Sequence, residues 1–467
     1  MTPKYPHQSV LPKTHFGWVL LILAAICAFE FSTHLHIDGE LISFGPYELN
    51  WGSAAGVRQI LNGQPFHFEG LPNVRNLHFF AGGIDSLDLG YTVPTGRLFA
   101  PFIGSLFNFA TYDVLTSVYT TNFLFWVLGA IATYGVGFRH FHSHSLGLIA
   151  AILVATSQGY ISLVFGTKTH VVSYSFFITA IFLILELGFW ERSTPRKNIV
   201  LAGFVAGLGI FFNGTHLMLV GIFLTLGVFR VHWTNLILFA CPMIIYTFAA
   251  KGLFIIAGTY GYHVGDIQHV IIGNALTHIK SAFQIISGAE GTEYTISGGS
   301  GIVHFNTVFG PYAWILENMP SFFLLGGPIV LGFALFGLIS RHFKCTIVSL
   351  IIIVVPSGIV AAIMSYWPWN AFFGYFFYYS IFGFYFLGAL GIINFALLAS
   401  AGFQKLFNLS PTFKARFQIA FCVVPLIIVA GVNNLDILFG WKIGHVWFHQ
   451  FYFIPYPMDW DFDVTDW

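Results

Sequence analysis

Four groups able to exchange protons or bind metals stand at alternate positions in "THLHIDGEL": His34, His36, Asp38 and Glu40. Two carboxylates this close repel, raising one pKa, or they share a divalent cation. Either state suits a base that takes a proton from a hydroxyl beside a leaving phosphate. The plainer alternative is that a loop leaving an apolar segment starts polar because it enters water. A His-x-His-x-Asp pattern also has the donors to ligate zinc or manganese. Alternate residues of a helix point about 200° apart, so ligation shared by His34, His36 and Asp38 requires extended backbone. Glu30 sits one helical turn before His34, an i,i+4 pair on one helical face. A carboxylate inside an apolar run is costly and usually faces a polar cavity; a structural hydrogen bond is an equal explanation.

Further candidates lie downstream. Asp85 and Asp88 in "GGIDSLDLGY" are spaced for one helical face or a turn. "GTKTHV" supplies Lys168 and His170, where a cation could meet a phosphate at a bilayer surface. Arg97 and Lys280 are similar phosphate candidates, and for each the alternative is a long side chain reaching toward headgroups. Asp459, Asp461, Asp463 and Asp466 alternate with aromatics in a terminal stretch that reads as a solvated tail or a cation site. Cys27, Cys241, Cys345 and Cys422 fall in or beside apolar segments without metal-ligand spacing, and read as small buried hydrophobes.

The elements that must position these residues follow from composition. Of 467 residues, 56% are hydrophobic and 8% charged, against roughly a quarter charged in soluble domains. With repeated apolar runs of about 20 residues, this predicts an all-α polytopic membrane protein; a β-barrel would show alternating segments of about ten residues. The runs place eleven spans near 18–35, 113–136, 146–165, 171–190, 199–212, 215–229, 235–258, 321–340, 345–364, 374–399 and 417–438. The fifth and sixth are short, and "NGTH" between them marks a turn or a break.

With the N-terminus in the cytoplasm, short inner loops collect most of the 19 Lys and Arg, among them Arg139, Arg192, Arg196, Lys197, Lys344, Lys405, Lys414 and Arg416. Most Asp and Glu fall outside; Glu186 and Glu191 are the chief exceptions. This charge bias predicts an N-in, C-out chain. The organisation is a cytoplasmic N-terminus (1–17), a first span (18–35), an outer loop (36–112), a bundle (113–258), a second outer loop (259–320), a bundle (321–438) and an outer aromatic and acidic tail (439–467). In the first outer loop, Ala54, Val57, Ile60 and Leu61 fall at helical spacing before Asn62-Gly63, predicting a short amphipathic helix. Residues 94–109 are too interrupted to span and read as interfacial. "SGAEGTEYTISGGSG" reads as a Gly/Ser-rich linker.

"HIDGE" beyond the first span, "ILNGQPFHFEG" in the long loop and "YTVPTGRLFAPF" before the second span resemble the GT-C superfamily of integral membrane glycosyltransferases. The likeness is to the branch with protein O-mannosyltransferases and lipid A aminoarabinose transferases. The family usually carries Asp-Glu or Asp-x-Asp where this chain has Asp38-Gly39-Glu40, and an Arg and an Asp where it has Lys168 and His170. The resemblance implies a GT-C-like fold with two long outer loops in a bacterial inner membrane or, alternatively, an ER membrane. It implies a polyprenyl-phosphate sugar as donor, and a lipid, glycan or protein as acceptor on the periplasmic or lumenal face. By position Asp38 would be the base, with Glu40 assisting or binding Mg or Mn together with His36. Arg97, Lys168 and Lys280 would meet the phosphate, with His170, Asp85 and Asp88 as further substrate contacts. A competing expectation is a non-catalytic subunit of a larger membrane complex with membrane-protein partners. A third, a transporter, wants charges near the bilayer midplane, where the spans offer little besides Glu30 and Lys251. A formal net charge of zero without a basic outer patch excludes nucleic acid as a partner.

Overall fold

The computed structural model describes residues 15–38, 57, 60–61, 99–112, 114–157, 164, 170–189, 191, 193–209, 221–223, 225, 232–259, 294–295, 302–303, 328–340, 342–364, 378–407 and 410–433. Glu40, Asp85, Asp88, Arg97, Lys168 and Lys280 lie outside these residues, as does the terminal aromatic and acidic tail.

The described chain is helical: α1 (Phe16–Asp38), α2 (Phe99–Thr111), α3 (Val114–Gly135), α4 (His144–Ala155), α5 (His170–Glu186), α6 (Arg196–Leu208), α7 (Trp233–Thr259), α8 (Pro328–Leu338), α9 (Phe343–Met364), α10 (Tyr378–Phe407) and α11 (Pro411–Asn433). A π-helical turn, Val136–His140, continues α3. Among the described residues, stretches of α1, α3, α10 and α11 are each long and apolar enough to cross a membrane. The chain is an integral membrane protein on these helices and its composition.

Apolar runs set these helices, because a bilayer core leaves backbone polar groups no partner but each other. Small residues set their packing, since lipid supplies no hydrophobic drive between helices. A Cβ at Gly391 of α10 would collide with the Phe333 carbonyl of α8, and one at Gly337 with the Leu387 carbonyl. The α3–π segment and α4 meet in the same way, Gly137 against the Gly147 Cα. α4 is the buried centre, touching α1, α3, α10 and α11, while α10 packs on α4, α5, α8, α9 and α11. Tyr385 of α10 donates to Ser157 just past α4 at 2.5 Å, and Trp126 of α3 to the Val154 carbonyl at 3.3 Å. α3 and α5 run parallel to each other and opposite to α4 and α9: the end of α3, the starts of α4 and α9 and the end of α5 gather at one end through Arg139, His140, Glu186 and Lys344. That end also holds the start of α1, where Phe16 meets Tyr134.

Several expectations change. α4 is only 12 residues long, short of the third span (146–165); Val164 is the described residue beyond Ser157. α6 ends at Leu208 and residues 221–223 and 225 are helical, while "NGTH", expected to mark a turn or a break, lies outside the described residues. α10 and α11 overrun the expected inner loop, leaving 408–410 between them, because Ser410 caps α11 through the Phe413 N–H (3.4 Å) and Pro411 opens the helix. The Gly/Ser-rich stretch holds β1 (Tyr294–Thr295), which pairs antiparallel with β2 (Ile302–Val303) just past its end. Cys27, Cys345 and Cys422 are buried as expected, but Cys241 is exposed on α7.

Candidate functional site at the C-terminal end of the first helix

α1 runs without interruption through Asp38. This decides the phase of the polar stretch. Positions 30, 34 and 38 follow at four-residue steps, each turning about 40° around the axis, and so share one flank. Position 36 leaves the axis about 200° from position 38. The extended backbone that ligation shared by His36 and Asp38 needs is not the backbone of this segment. His36 and Asp38 are described here through their backbone alone.

Val19, Leu23, Cys27 and Glu30 are all buried, at spacings of four, four and three. They are the stripe by which α1 packs on α3 and α4. Glu30, 3% exposed, therefore faces the bundle rather than lipid, as a carboxylate in a span should. Beside it Phe31 packs on Phe123 of α3, ring centroids 5.2 Å apart.

One turn of α3 gathers three pieces of the chain. Phe123 meets α1 through Phe31. Asn122, 1% exposed, donates from Nδ2 to the Val164 carbonyl at 2.9 Å, which ties the segment bearing Lys168 to α3 four residues before that lysine. Thr121 faces α2: a Cβ on Gly104 would come within 3.7 Å of its hydroxyl and 2.8 Å of Val57. Val57, fully buried, with helical Ile60 and Leu61 beside it, is the inward face of the expected amphipathic helix. Arg97 lies two residues before α2, and His170 is the first residue of α5, which packs on α3 where Gly129 meets Ser175.

The α2–α3 corner is fixed by local hydrogen bonds. Ser117 donates to Asn108 Oδ1 at 3.2 Å, and the Thr111 and Ser117 hydroxyls are 2.8 Å apart. Tyr112 closes the turn in the left-handed region, φ 54°. α1, α2 and Val164 thus all meet α3 at Thr121–Phe123, and α5, which His170 begins, packs on the same helix. Among the described residues there is no group of three or more His, Cys, Asp or Glu able to hold a metal ion.

Sequence reasoning did not single out Thr121, Asn122 or Phe123. The signal was present: "TTNF" puts a threonine pair and an amide in the middle of an apolar run, and a buried amide needs a partner.

A second polar cluster occupies the opposite end. Arg139 binds Glu186 in bidentate fashion, Nε–Oε1 2.9 Å and Nη2–Oε2 3.2 Å, with His140 Nε2 3.6 Å from the same carboxylate. Lys344 donates to the His140 carbonyl at 2.8 Å. The His342 ring nitrogen lies 3.1 Å from the Phe141 carbonyl, and the Tyr134 hydroxyl 3.1 Å from His144 Nδ1. This explains Glu186, the acid that broke the charge bias: it is the counter-ion of Arg139.

No family model matches the chain, and no curated protein matches it. Its structure is similar to the crystal structure of the Archaeoglobus fulgidus oligosaccharyltransferase in the apo form, with 13% sequence identity and a TM-score of 0.48. The match covers 90% of this chain and 56% of that one, so the chain spans little more than half the length of that protein.

Proposed function

We propose that the protein is a GT-C-like membrane glycosyltransferase, eleven-spanning and N-in/C-out. It moves a sugar from a polyprenyl-phosphate donor to a lipid, glycan or protein acceptor on the periplasmic or lumenal face. The observation that supports this most is the convergence on Thr121–Phe123 of α1, whose flank carries Glu30 and Asp38, of α2, and of Val164; Arg97 and Lys168 stand in sequence two residues before α2 and four after Val164. Acid and cations near one membrane surface are what transfer from a lipid phosphate requires.

In this reading Asp38 takes the proton of the acceptor hydroxyl as that oxygen bonds to the sugar's anomeric carbon. The bond from that carbon to the phosphate oxygen breaks, and its electron pair leaves with the polyprenyl phosphate. Arg97, Lys168 and Lys280 offset the charge on the departing phosphate, with His170, Asp85 and Asp88 contributing substrate contacts. Asp38 and Glu40 would hold a divalent cation, Mg or Mn, which supplies further charge neutralisation at the phosphate. The donor's lipid tail lies among the helices, so the membrane is part of the binding site.

The test is donor-dependent transfer in vesicles loaded with a polyprenyl-phosphate sugar. General-base loss typically costs on the order of 10²–10⁴-fold, so Asp38→Asn is expected to lower transfer at least about 100-fold with thermal stability unchanged. Full transfer by Asp38→Asn removes Asp38 from the reaction. Purification with stoichiometric membrane partners and no donor-dependent turnover by the wild type would establish an accessory subunit instead.

A further inference from the structure

α10 outruns the helices it packs on. Phe177 stacks on Phe382, so Glu186, nine residues further along the parallel α5, comes level with position 391. Gly337 meets the Leu387 carbonyl and Gly391, bringing Leu338 at the end of α8 beside about positions 388–392. In the antiparallel α9 the Ser349 carbonyl meets Gly383, bringing Phe343 level with position 389. Those three helix ends lie beside about positions 388–392, yet α10 continues to Phe407. At about 1.5 Å per residue the overrun along its axis is roughly 20–30 Å. α11 accompanies it: Phe403 stacks on Phe417 at 5.5 Å and meets Phe421 at 5.6 Å.

The outside of this hairpin is apolar and cationic together. Leu406 is 77% exposed, Phe407 64% and Phe413 52%. Lys405 and Arg416 are exposed and Lys414 half-buried, with Arg416 over the Phe413 ring at 5.9 Å. No Asp or Glu occurs from Tyr378 to Asn433. Among the described residues none of the three cations joins an ion pair, whereas Arg139 at the end of α3 is taken by Glu186. Charge bias across the membrane accounts for cations on this side, but not for exposed rings and leucines projecting with them beyond the bundle. One environment satisfies both: the headgroup layer of an anionic leaflet, with an apolar boundary for the rings and phosphates for the cations.

We propose that the α10–α11 hairpin is a docking element for anionic phospholipid headgroups, seated by Leu406, Phe407 and Phe413 and charge-matched by Lys405, Lys414 and Arg416. It is independent of the transfer reaction proposed above. The test uses the full chain in nanodiscs of phosphatidylcholine mixed with phosphatidylglycerol, counting retained lipids by native mass spectrometry. A cation near an anionic surface is worth about fivefold in partitioning. The K405Q/K414Q/R416Q variant is therefore expected to lose phosphatidylglycerol enrichment about tenfold or more. The charge-keeping K405R/K414R/R416K variant retains it, and R196Q/K197Q, at another loop of the same side, reduces it less than the hairpin variant does, having two cations to lose rather than three. Raising salt from about 0.1 to about 1 M should remove the wild-type enrichment. Unchanged enrichment in the glutamine variant overturns the proposal. So does a wild type without any preference for phosphatidylglycerol, a result that stands even if the glutamine variant fails to fold, and so does a protein partner that covers the hairpin in place of lipid.

Discussion

The two ends of the bundle use charge differently. At the end where α3 meets α5, Arg139 and Glu186 bind each other, while Lys344 and His342 reach backbone carbonyls freed by the π turn and the loop after it. Their polarity closes helix ends. At the C-terminal end of α1, Glu30 is buried on the packing stripe, and positions 34 and 38 carry the same flank toward the long segment that follows. There the polar flank leads out of the helix, and α1 shares the Thr121–Phe123 turn of α3 with α2 and Val164. The difference teaches that a charged cluster is a candidate for chemistry because of what its surroundings leave it to do. The better-formed ion pair is the less interesting one.

Substitutions at the two ends should therefore separate stability from turnover. The largest effect is expected at a site of neither kind: Gly391→Leu drives a side chain into the Phe333 carbonyl where α8 and α10 cross. Overpacking of this sort costs about 1–3 kcal/mol or more. It should appear as a clear fall in Tm and in the yield of monodisperse protein. Next, His34→Ala, on the same flank as Asp38, is expected to lower transfer by roughly tenfold, less than loss of the base itself, with Tm held. A fall in Tm matching the loss of transfer would instead make position 34 structural.

Glu186→Gln breaks the Arg139 pair in a part-exposed setting, where such pairs contribute little. Tm should fall by a few degrees at most, less so in high salt, while transfer per folded molecule stays at the wild-type level. Loss of transfer at constant Tm would erase the contrast between the two ends. The smallest effect belongs to His36→Ala, expected to stay within about twofold of wild type, because position 36 lies off the acid flank of α1. If it were as damaging as His34→Ala, the helical phase through Asp38 would not describe the working state.

The helices were legible because a bilayer imposes length and apolarity on each one separately. α9, expected over 345–364, is Phe343–Met364, and α7, expected over 235–258, is Trp233–Thr259. The buried Val57 was legible too, from spacing alone. What could not be read was anything set by register between helices. Arg139 and Glu186 are 47 positions apart, and no periodicity within α3 or α5 pairs them. The contacts of Thr121, Asn122 and Phe123 with three different segments depend on how those segments cross. The continuation of α1 through Asp38 was hidden for another reason: residues 34–40 are polar enough to look like loop, yet lack the Gly or Pro that would stop a helix before Gly39.

The most direct measurement of the central claim is to locate the donor. A photoreactive polyprenyl-phosphate sugar, incorporated with the full chain in vesicles and activated by light, would mark the residues around its phosphate. The account predicts crosslinks at the outer end of α1, in the 94–101 segment and around residues 164–170, all competed away by unlabelled donor. Crosslinks confined to lipid-facing surfaces of α7 or α11, or unaffected by competitor, would contradict it.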